Sequence, residues 1–321
     1  MPTKIVYWAA YGLAKDQIIG AFARRPEIDF EICSSLEEVL RAMDGAKGLV
    51  LYDQPEEIAR QVVAKLNLPG NSVEILHFVS AGRDGFEAAG LPDRVKVTGP
   101  GAATATIVAE HALALTLASL RALPRSLKLT ESQLWSRHEM VPHIASLEDR
   151  KVLVVGYGAI GQAVTRLFKA FGAAVTAVTR TPPAGGSDGD VLVKPLSALE
   201  EAVSQCDVLI LTIALAPETA GLFDADLLAA LQPGSYFVNV ARGEIVDLGA
   251  LEALLRSGRL AGAALDVVSP EPFPAGHSLW TAPNLIFTPH IAAAGSRAGA
   301  GRLAEAARRN LDALLEREAI G

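Results

Sequence analysis

The sequence predicts an α/β protein made of two doubly wound parallel-sheet domains, and three observations carry that prediction. Up to about residue 100, short β-branched runs alternate with amphipathic stretches, the pattern of parallel strands joined by helices. A second β/α series opens at the apolar run Lys151–Val155 and continues to about Thr288. The chain has 321 residues, which at about 150 residues per domain makes two domains.

In the first series the strands and helices read as Lys4–Trp8, Lys15–Arg24, Leu36–Met43, Gly48–Tyr52 and, further on, a strand Val73–Phe78. Thr98-Gly99-Pro100-Gly101 then interrupts the pattern with turn formers, ahead of a long helical run from about Ala103 to Leu123. A polar loop with Trp135, His138 and His143 leads to the second series, whose strands include Ala174–Thr179, Val208–Ile213, Tyr236–Val240, Gly262–Val267 and Leu285–Phe287. The amphipathic stretch Ala298–Arg317 is expected to cross back to the first unit. The expected domains are therefore 1–101 with 292–321, and 102–291. The Gly-rich patch Pro182–Gly189 reads as an exposed flexible loop without chemistry.

Composition excludes several function classes. Lys plus Arg number 29 against 36 Asp plus Glu, a formal charge of −7, so no basic surface is available to release counterions from nucleic acid. Cys33 and Cys206 are far apart and have no metal-ligand spacing, so neither a disulfide framework nor a metal site is expected. The N-terminal run through Trp8 reads as a first strand rather than an export signal. The greasy stretch Ile107–Leu120 is broken by Glu110 and His111, against the about 20 apolar residues of a membrane span. The expectation is a cytoplasmic protein with no membrane or nucleic-acid partner.

Chemistry enters directly after Val155, at Gly156-Tyr157-Gly158-Ala159-Ile160-Gly161, followed by the helical run Gln162–Phe171. Gly156 suits a tight turn, Gly158 a close approach of backbone to a pyrophosphate, and Gly161 close packing of helix on strand; the helix N-terminus offers N–H groups to the anion. Glycines also serve plain turns, but the strand, turn and helix context points to a dinucleotide. At the end of the next strand, where Asp or Glu would accept hydrogen bonds from the adenosine ribose, stands Thr179-Arg180-Thr181, with Thr179 18 residues after Gly161. A cation among hydroxyls suits a 2′-phosphate, so NADP(H) is the expected preference. The alternative is that Arg180 is a solvated surface charge and NAD(H) serves as well.

Three ionisable residues follow apolar strands of the second series: Arg242 after Phe237–Ala241, Glu271 in Val268–Pro272, and His290 in Phe287–Ile291. Strand C-terminal ends are where open α/β sheets place ligands. Taken singly each has a bland reading. Arg242 suits a helix cap or a pair with Asp247, Glu271 a surface turn, and His290 competes with His77, His111, His138, His143 and His277.

Together with Val108–His111, the glycine loop, Asn239–Gly243, Ala264–Val267, Ser278–Trp280 and Thr288–Ile291, however, the sequence resembles the D-isomer-specific 2-hydroxyacid dehydrogenases over nearly its whole length. The resemblance implies a Rossmann-type cofactor domain and a flavodoxin-like substrate domain with an interdomain cleft that closes on the substrate. It makes Arg242, Glu271 and His290 the catalytic set and a homodimer the expected assembly, with the helix after Ala103 a candidate for its apolar interface. The chemistry agrees. A guanidinium grips a 2-oxo acid carboxylate through a bidentate fork. An imidazole beside a carboxylate donates a proton to the carbonyl as nicotinamide delivers hydride.

By the same resemblance Asp266 holds the nicotinamide carboxamide, and Thr212, Val240 and Ala241 lie along the ribose and nicotinamide; as small strand residues these three also suit a core. The turn Ser80-Ala81-Gly82 presents backbone N–H groups to the substrate carboxylate, beside Arg242 and His290. Three features depart from the family pattern: Arg83 in place of an aliphatic residue, Pro217 two positions late, and Ala292-Ala293-Ala294 in place of a glycine pair. Arg83 either biases the pocket toward a more anionic substrate or points to solvent. The expected activity is NADP(H)-preferring reduction of a small 2-oxo acid, glyoxylate or hydroxypyruvate, to the D-2-hydroxy acid. Rival readings are a catalytically weak nucleotide-sensing binding protein, an NAD-preferring D-lactate-type dehydrogenase, and a related hydride-transfer enzyme acting on formate or phosphite.

Overall fold

The computed structural model describes residues 2–318; Met1 and residues 319–321, the ends of the expected first domain, lie outside the described residues. The described residues form two compact units, one of the chain up to Thr104 with the segment from Ala294 onward, the other Ala105–Ala293.

The first unit runs β1 (Thr3–Trp8), α1 (Lys15–Phe22), β2 (Ile28–Cys33), α2 (Leu36–Ala42), β3 (Gly48–Leu51), α3 (Glu56–Leu66), β4 (Ile75–Phe78), α4 (Asp84–Ala89) and β5 (Lys96–Thr98), and adds the C-terminal helix Arg297–Glu318. All pairings are parallel and the strand order is β2-β1-β3-β4-β5, the flavodoxin-like winding. Successive β1 residues feed opposite faces: Ile5 and Tyr7 join a core that the C-terminal helix covers, Val6 and Trp8 the core under α2 and α3. Burial on both faces is why these strands read as unbroken apolar runs.

The second unit opens with α5 (Ala105–Leu120), α6 (Leu123–Glu131) and α7 (Arg137–Met140), then alternates β6 (Lys151–Val155), α8 (Ala159–Ala170), β7 (Ala174–Thr179), β8 (Ser187–Asp188), β9 (Val191–Pro195), α9 (Leu199–Val203), β10 (Val208–Leu211), α10 (Ala225–Ala229), β11 (Ser235–Asn239), α11 (Leu248–Arg256), β12 (Leu260–Leu265) and β13 (Leu285–Phe287). The sheet order is β13-β12-β11-β10-β6-β7-β9-β8. The chain winds outward from β6 through β7 to β9, then returns to β10 and winds the other way. The reversal lies between β6 and β10, and the crevice at their carboxyl ends is the preferred ligand position of such sheets.

Three expectations are corrected here. The long helix expected from Ala103 to Leu123 stops at Leu120, and Ala122, at φ 49°, turns the chain into α6 at an angle of 61°. Helix α5 packs on α8, β11 and β12, burying Val108, Leu113, Leu115 and Leu120 in the core of its own unit, so these side chains do not form the apolar interface expected of them. Exposed apolar side chains stand instead on the following arm, at Leu123, Leu127, Leu134, Trp135 and Val141. The stretch Pro182–Gly189 is not simply a loose loop: Ser187–Asp188 pairs antiparallel with Val191–Leu192 across a turn in which Gly189 has φ 61°. Among the described residues, no single helix is long and apolar enough to cross a membrane.

Candidate active site

The glycine loop follows β6 at the winding reversal. Gly156 has φ 102°, and a Cβ there would stand 2.6 Å from the Ile213 nitrogen beyond β10; at Gly161 it would stand 1.9 Å from the Gly156 carbonyl oxygen. No side chain fits either position, so these two glycines let loop, helix and neighbouring strand touch through backbone. At Gly158, by contrast, nothing lies within 4 Å of the Cβ position. This open position at the N-terminus of α8, whose first residues are Ala159 and Ile160, fits an anionic dinucleotide backbone. Thr212 donates its hydroxyl to the Gly156 carbonyl at 2.8 Å and so ties β10 to the loop.

Thr179 ends β7, and Arg180 next to it ion-pairs through Nη1 with Oε1 of Glu218 at 2.6 Å; Thr181 follows, exposed. Both partners are more than half exposed, 56% and 51%, so the pair is a weak, displaceable one. Glu218, on the loop after β10, is absent from the sequence reading because only the fold brings it to Arg180.

Arg242, Glu271 and His290 come from the loops beyond β11, β12 and β13, three neighbouring strands. Asn239, fully buried, sets the first loop: its amide donates to the Arg242 carbonyl and accepts from Ala241 N–H, both at 2.9 Å. Gly243 sets the second contact, because a Cβ there would lie 2.0 Å from the Val268 carbonyl carbon. The loops of Arg242 and Glu271 thus press together through backbone. Val240 and Ala241 bury their side chains in the cores of the sheet.

His290 donates through Nδ1 to Oε2 of Glu271 at 2.8 Å, and Oε1 of Glu271 accepts from Val268 N–H at 3.2 Å. The Glu271 hydrogen bond is the main influence on His290 and holds its pKa above the ordinary value; partial burial and the Arg242 charge oppose it, and Asp266 assists. For Glu271, burial alone pushes the carboxyl up, but His290, Val268 N–H and Arg242 outweigh it and hold it below the usual range. With Nδ1 taken by Glu271, Nε2 is the nitrogen left for proton exchange. The arrangement is an imidazole poised to carry a proton, with a guanidinium close enough to be felt by both partners.

Asp266 is 2% exposed and supports the His290 turn. Its carboxylate accepts from Thr288 Oγ1 at 2.6 Å and from the N–H groups of Ile291 and Ala292 at 3.0 Å, and its carbonyl accepts from His290 N–H at 2.7 Å. His290 itself sits at φ 52°, a left-handed conformation that costs a non-glycine residue about 1 kcal/mol or more.

In the first unit, Ser80 shapes the turn after β4, donating to the Gly82 carbonyl at 2.8 Å and accepting from Asp53 N–H at 3.0 Å; Ala81 between them is exposed. Arg83 pairs with Glu87 at 2.7 Å, on the solvent side of α4. Of the other histidines, His77 is fully buried and burial lowers its pKa to about 4, and His277 caps a short turn through Leu279 N–H. His138 and His143 are exposed. Both cysteines are buried, which raises Cys33 to about 11 and Cys206 to about 12. Among the described residues no cluster of His, Cys, Asp and Glu suits a metal ion.

Comparison with known proteins gives the family and agrees with the fold. The family model "D-isomer specific 2-hydroxyacid dehydrogenase, NAD binding domain" matches residues 113–292. Glyoxylate reductase/hydroxypyruvate reductase of Homo sapiens is 29% identical over 289 residues, covering 86% of this chain and 85% of that one. Among solved structures, a D-isomer specific 2-hydroxyacid dehydrogenase from Xanthobacter autotrophicus Py2, in complex with NADPH and MES, is 27% identical with a TM-score of 0.77, over 98% of this chain and 96% of that one. An NAD-dependent formate dehydrogenase from Staphylococcus aureus, in complex with NAD, is 25% identical with a TM-score of 0.78, over the same shares. Because the family model spans more than half of its length, the chain belongs to the D-isomer specific 2-hydroxyacid dehydrogenases, NAD(P)-dependent oxidoreductases that interconvert 2-hydroxy and 2-oxo acids.

Proposed function

We propose that the protein is an NADP(H)-preferring reductase that converts a small 2-oxo acid, glyoxylate or hydroxypyruvate, to the D-2-hydroxy acid. The observation that carries the reading is the His290–Glu271 pair at 2.8 Å in the electrostatic reach of Arg242. Arg242 binds the substrate carboxylate and polarises the neighbouring carbonyl. His290 donates its Nε2 proton to the carbonyl oxygen, and Glu271 stabilises the imidazolium that does so. In the reverse direction neutral His290 takes the hydroxyl proton back. A bound nicotinamide supplies the hydride that the carbonyl carbon receives. The turn Ser80–Gly82 offers N–H groups to a carboxylate. Gly156, Gly158, Ala159, Ile160, Gly161, Thr212, Val240, Ala241 and Asp266 belong to the cofactor side. Assembly as a homodimer is part of the same family reading, and the apolar arm of Leu127 and Trp135, rather than α5, is the surface it would use.

NADP(H) preference rests on Arg180 between Thr179 and Thr181, where an acidic residue would otherwise bind the ribose. The Arg180–Glu218 pair supports the rival reading, tolerance of both cofactors, because a 2′-phosphate must displace that carboxylate. One assay tests class, substrate and cofactor: loss of 340 nm absorbance of NADPH and of NADH with glyoxylate, hydroxypyruvate, pyruvate and phenylpyruvate. The expected result is turnover of the two smallest polar 2-oxo acids with a higher kcat/KM for NADPH, and an about tenfold loss of that advantage in Arg180→Ala. Binding of NADPH without turnover of any 2-oxo acid favours the nucleotide sensor, and equal or better use of NADH overturns the cofactor preference.

A further inference from the structure

The histidine at position 111 lies 177 residues from Thr288 along the chain, on α5, yet its Nε2 is 3.0 Å from Thr288 Oγ1 and 3.3 Å from Asp266 Oδ1. The Thr288 hydroxyl has one proton, and it is spent on Asp266 Oδ1 at 2.6 Å. Toward His111 the hydroxyl therefore accepts, so Nε2 carries a hydrogen. The hydrogen bonds run in one direction, from His111 N–H to the Thr288 hydroxyl to the Asp266 carboxylate.

That carboxylate is the group on which the His290 turn hangs. Residue 288 before the histidine and residues 291 and 292 after it all donate to Asp266, and His290 N–H donates to the Asp266 carbonyl. His290 is held in a left-handed conformation between these anchors, with its Nδ1 on Glu271. A buried carboxylate free to rotate would not fix three donors at once; the ordered Thr288 hydroxyl removes one rotation, and His111 orders that hydroxyl.

We propose that His111 is a positioning residue for the His290 proton donor, acting through Thr288 and Asp266 rather than by touching substrate. The proposal rests on the reading of His290 given above. It assigns the helix α5 a part in the chemistry in addition to its part in the core. Misplacement of a donor by about 1 Å costs about a hundredfold, so loosening of this anchor lowers kcat without a matching loss of binding.

The test compares His111→Phe with His111→Gln, whose amide keeps an N–H near the Nε2 position, in the reduction of glyoxylate and hydroxypyruvate by NADPH. His111→Phe is expected to lower kcat about tenfold while KM and the NADPH Kd, read by fluorescence titration, stay within about twofold. His111→Gln is expected to return kcat to within about threefold of wild type. Thr288→Val is expected to match His111→Phe, and the double variant to be no slower than the worse single one, since both break one relay. If His111→Phe does not fold, Thr288→Val against Thr288→Ser reads the same relay. Wild-type kcat in His111→Phe, equal loss in Phe and Gln variants, or additive losses in the double variant overturn the proposal. His290→Gln in the same assay keeps the outcomes apart: if it is inactive while His111→Phe is fully active, only the positioning role fails, whereas a fully active His290→Gln removes the reading beneath it.

Discussion

At the scale of single residues, the Glu271–His290 contact decides the pH behaviour. The hydrogen bond raises the histidine pKa, so the protonated donor persists above the ordinary value near 6.5. In the proposed mechanism reduction of the 2-oxo acid requires that proton, and kcat/KM for reduction is therefore expected to fall as pH rises through the raised pKa. Oxidation of the 2-hydroxy acid requires neutral imidazole and rises through the same pKa. Glu271→Gln removes the main cause of the shift and leaves burial and the Arg242 charge, which both lower it, against the smaller raising effect of Asp266. The fall of the reduction profile is expected to move to lower pH, with kcat at neutral pH about 10- to 100-fold below wild type. A pH–rate profile checks it, and an unchanged limb in the Gln variant would detach Glu271 from the titration.

Arg242, Glu271 and His290 were legible as candidates in the sequence through the family resemblance, each lying in a loop that follows an apolar strand, where a parallel sheet delivers its loops to one edge. Their partners were not. Thr288 stood only inside a motif, His111 only inside another and as a rival histidine on a greasy stretch, and Glu218 did not appear at all, since a contact across 177 residues or 38 residues leaves no periodic trace. Arg83, which read either as a substrate-directed cation or as a solvated one, has its charge engaged by Glu87.

At the scale of elements, the glycines do most to define the site. Apolar β-branched runs marked nine of the thirteen strands among the described residues within a residue or two, missing β2, β5, β8 and β9, and the misses are instructive. Val191–Pro195 follows a Gly-rich patch whose composition reads as a loop, and its pairing with β7 on one side and Ser187–Asp188 on the other depends on partners the local sequence does not contain. The break at Ala122 was marked by Pro124 two residues on, in the first turn of α6, a stop signal that the expected helix to Leu123 passed over. Gly243 was read only as a letter of a motif, yet it is what allows the loops after β11 and β12 to meet. Gly243→Ala is expected to cost about 1–3 kcal/mol, seen as a lower Tm, because backbone rather than a flexible side chain occupies the space. It is also expected to lower kcat/KM by moving Arg242 away from Glu271. A variant with wild-type Tm and activity would show that the close approach is not required.

At the scale of the whole molecule, two parallel sheets arise from one alternating pattern and differ in winding: β2-β1-β3-β4-β5 in the first unit, and in the second a reversal between β6 and β10. The second sheet delivers the glycine loop at that reversal and Arg242, Glu271 and His290 along its β11, β12 and β13 side, so the carboxyl edge of one sheet holds both the glycine loop and the ionisable set. The central claim is that His290 supplies the proton for carbonyl reduction. It is tested most directly by kcat for glyoxylate or hydroxypyruvate reduction in His290→Gln, alongside the NADPH Kd of the same variant. The predicted result is kcat lower by about 10²- to 10⁴-fold with Kd unchanged within about twofold. A His290→Gln enzyme that turns over within a few-fold of wild type would contradict it.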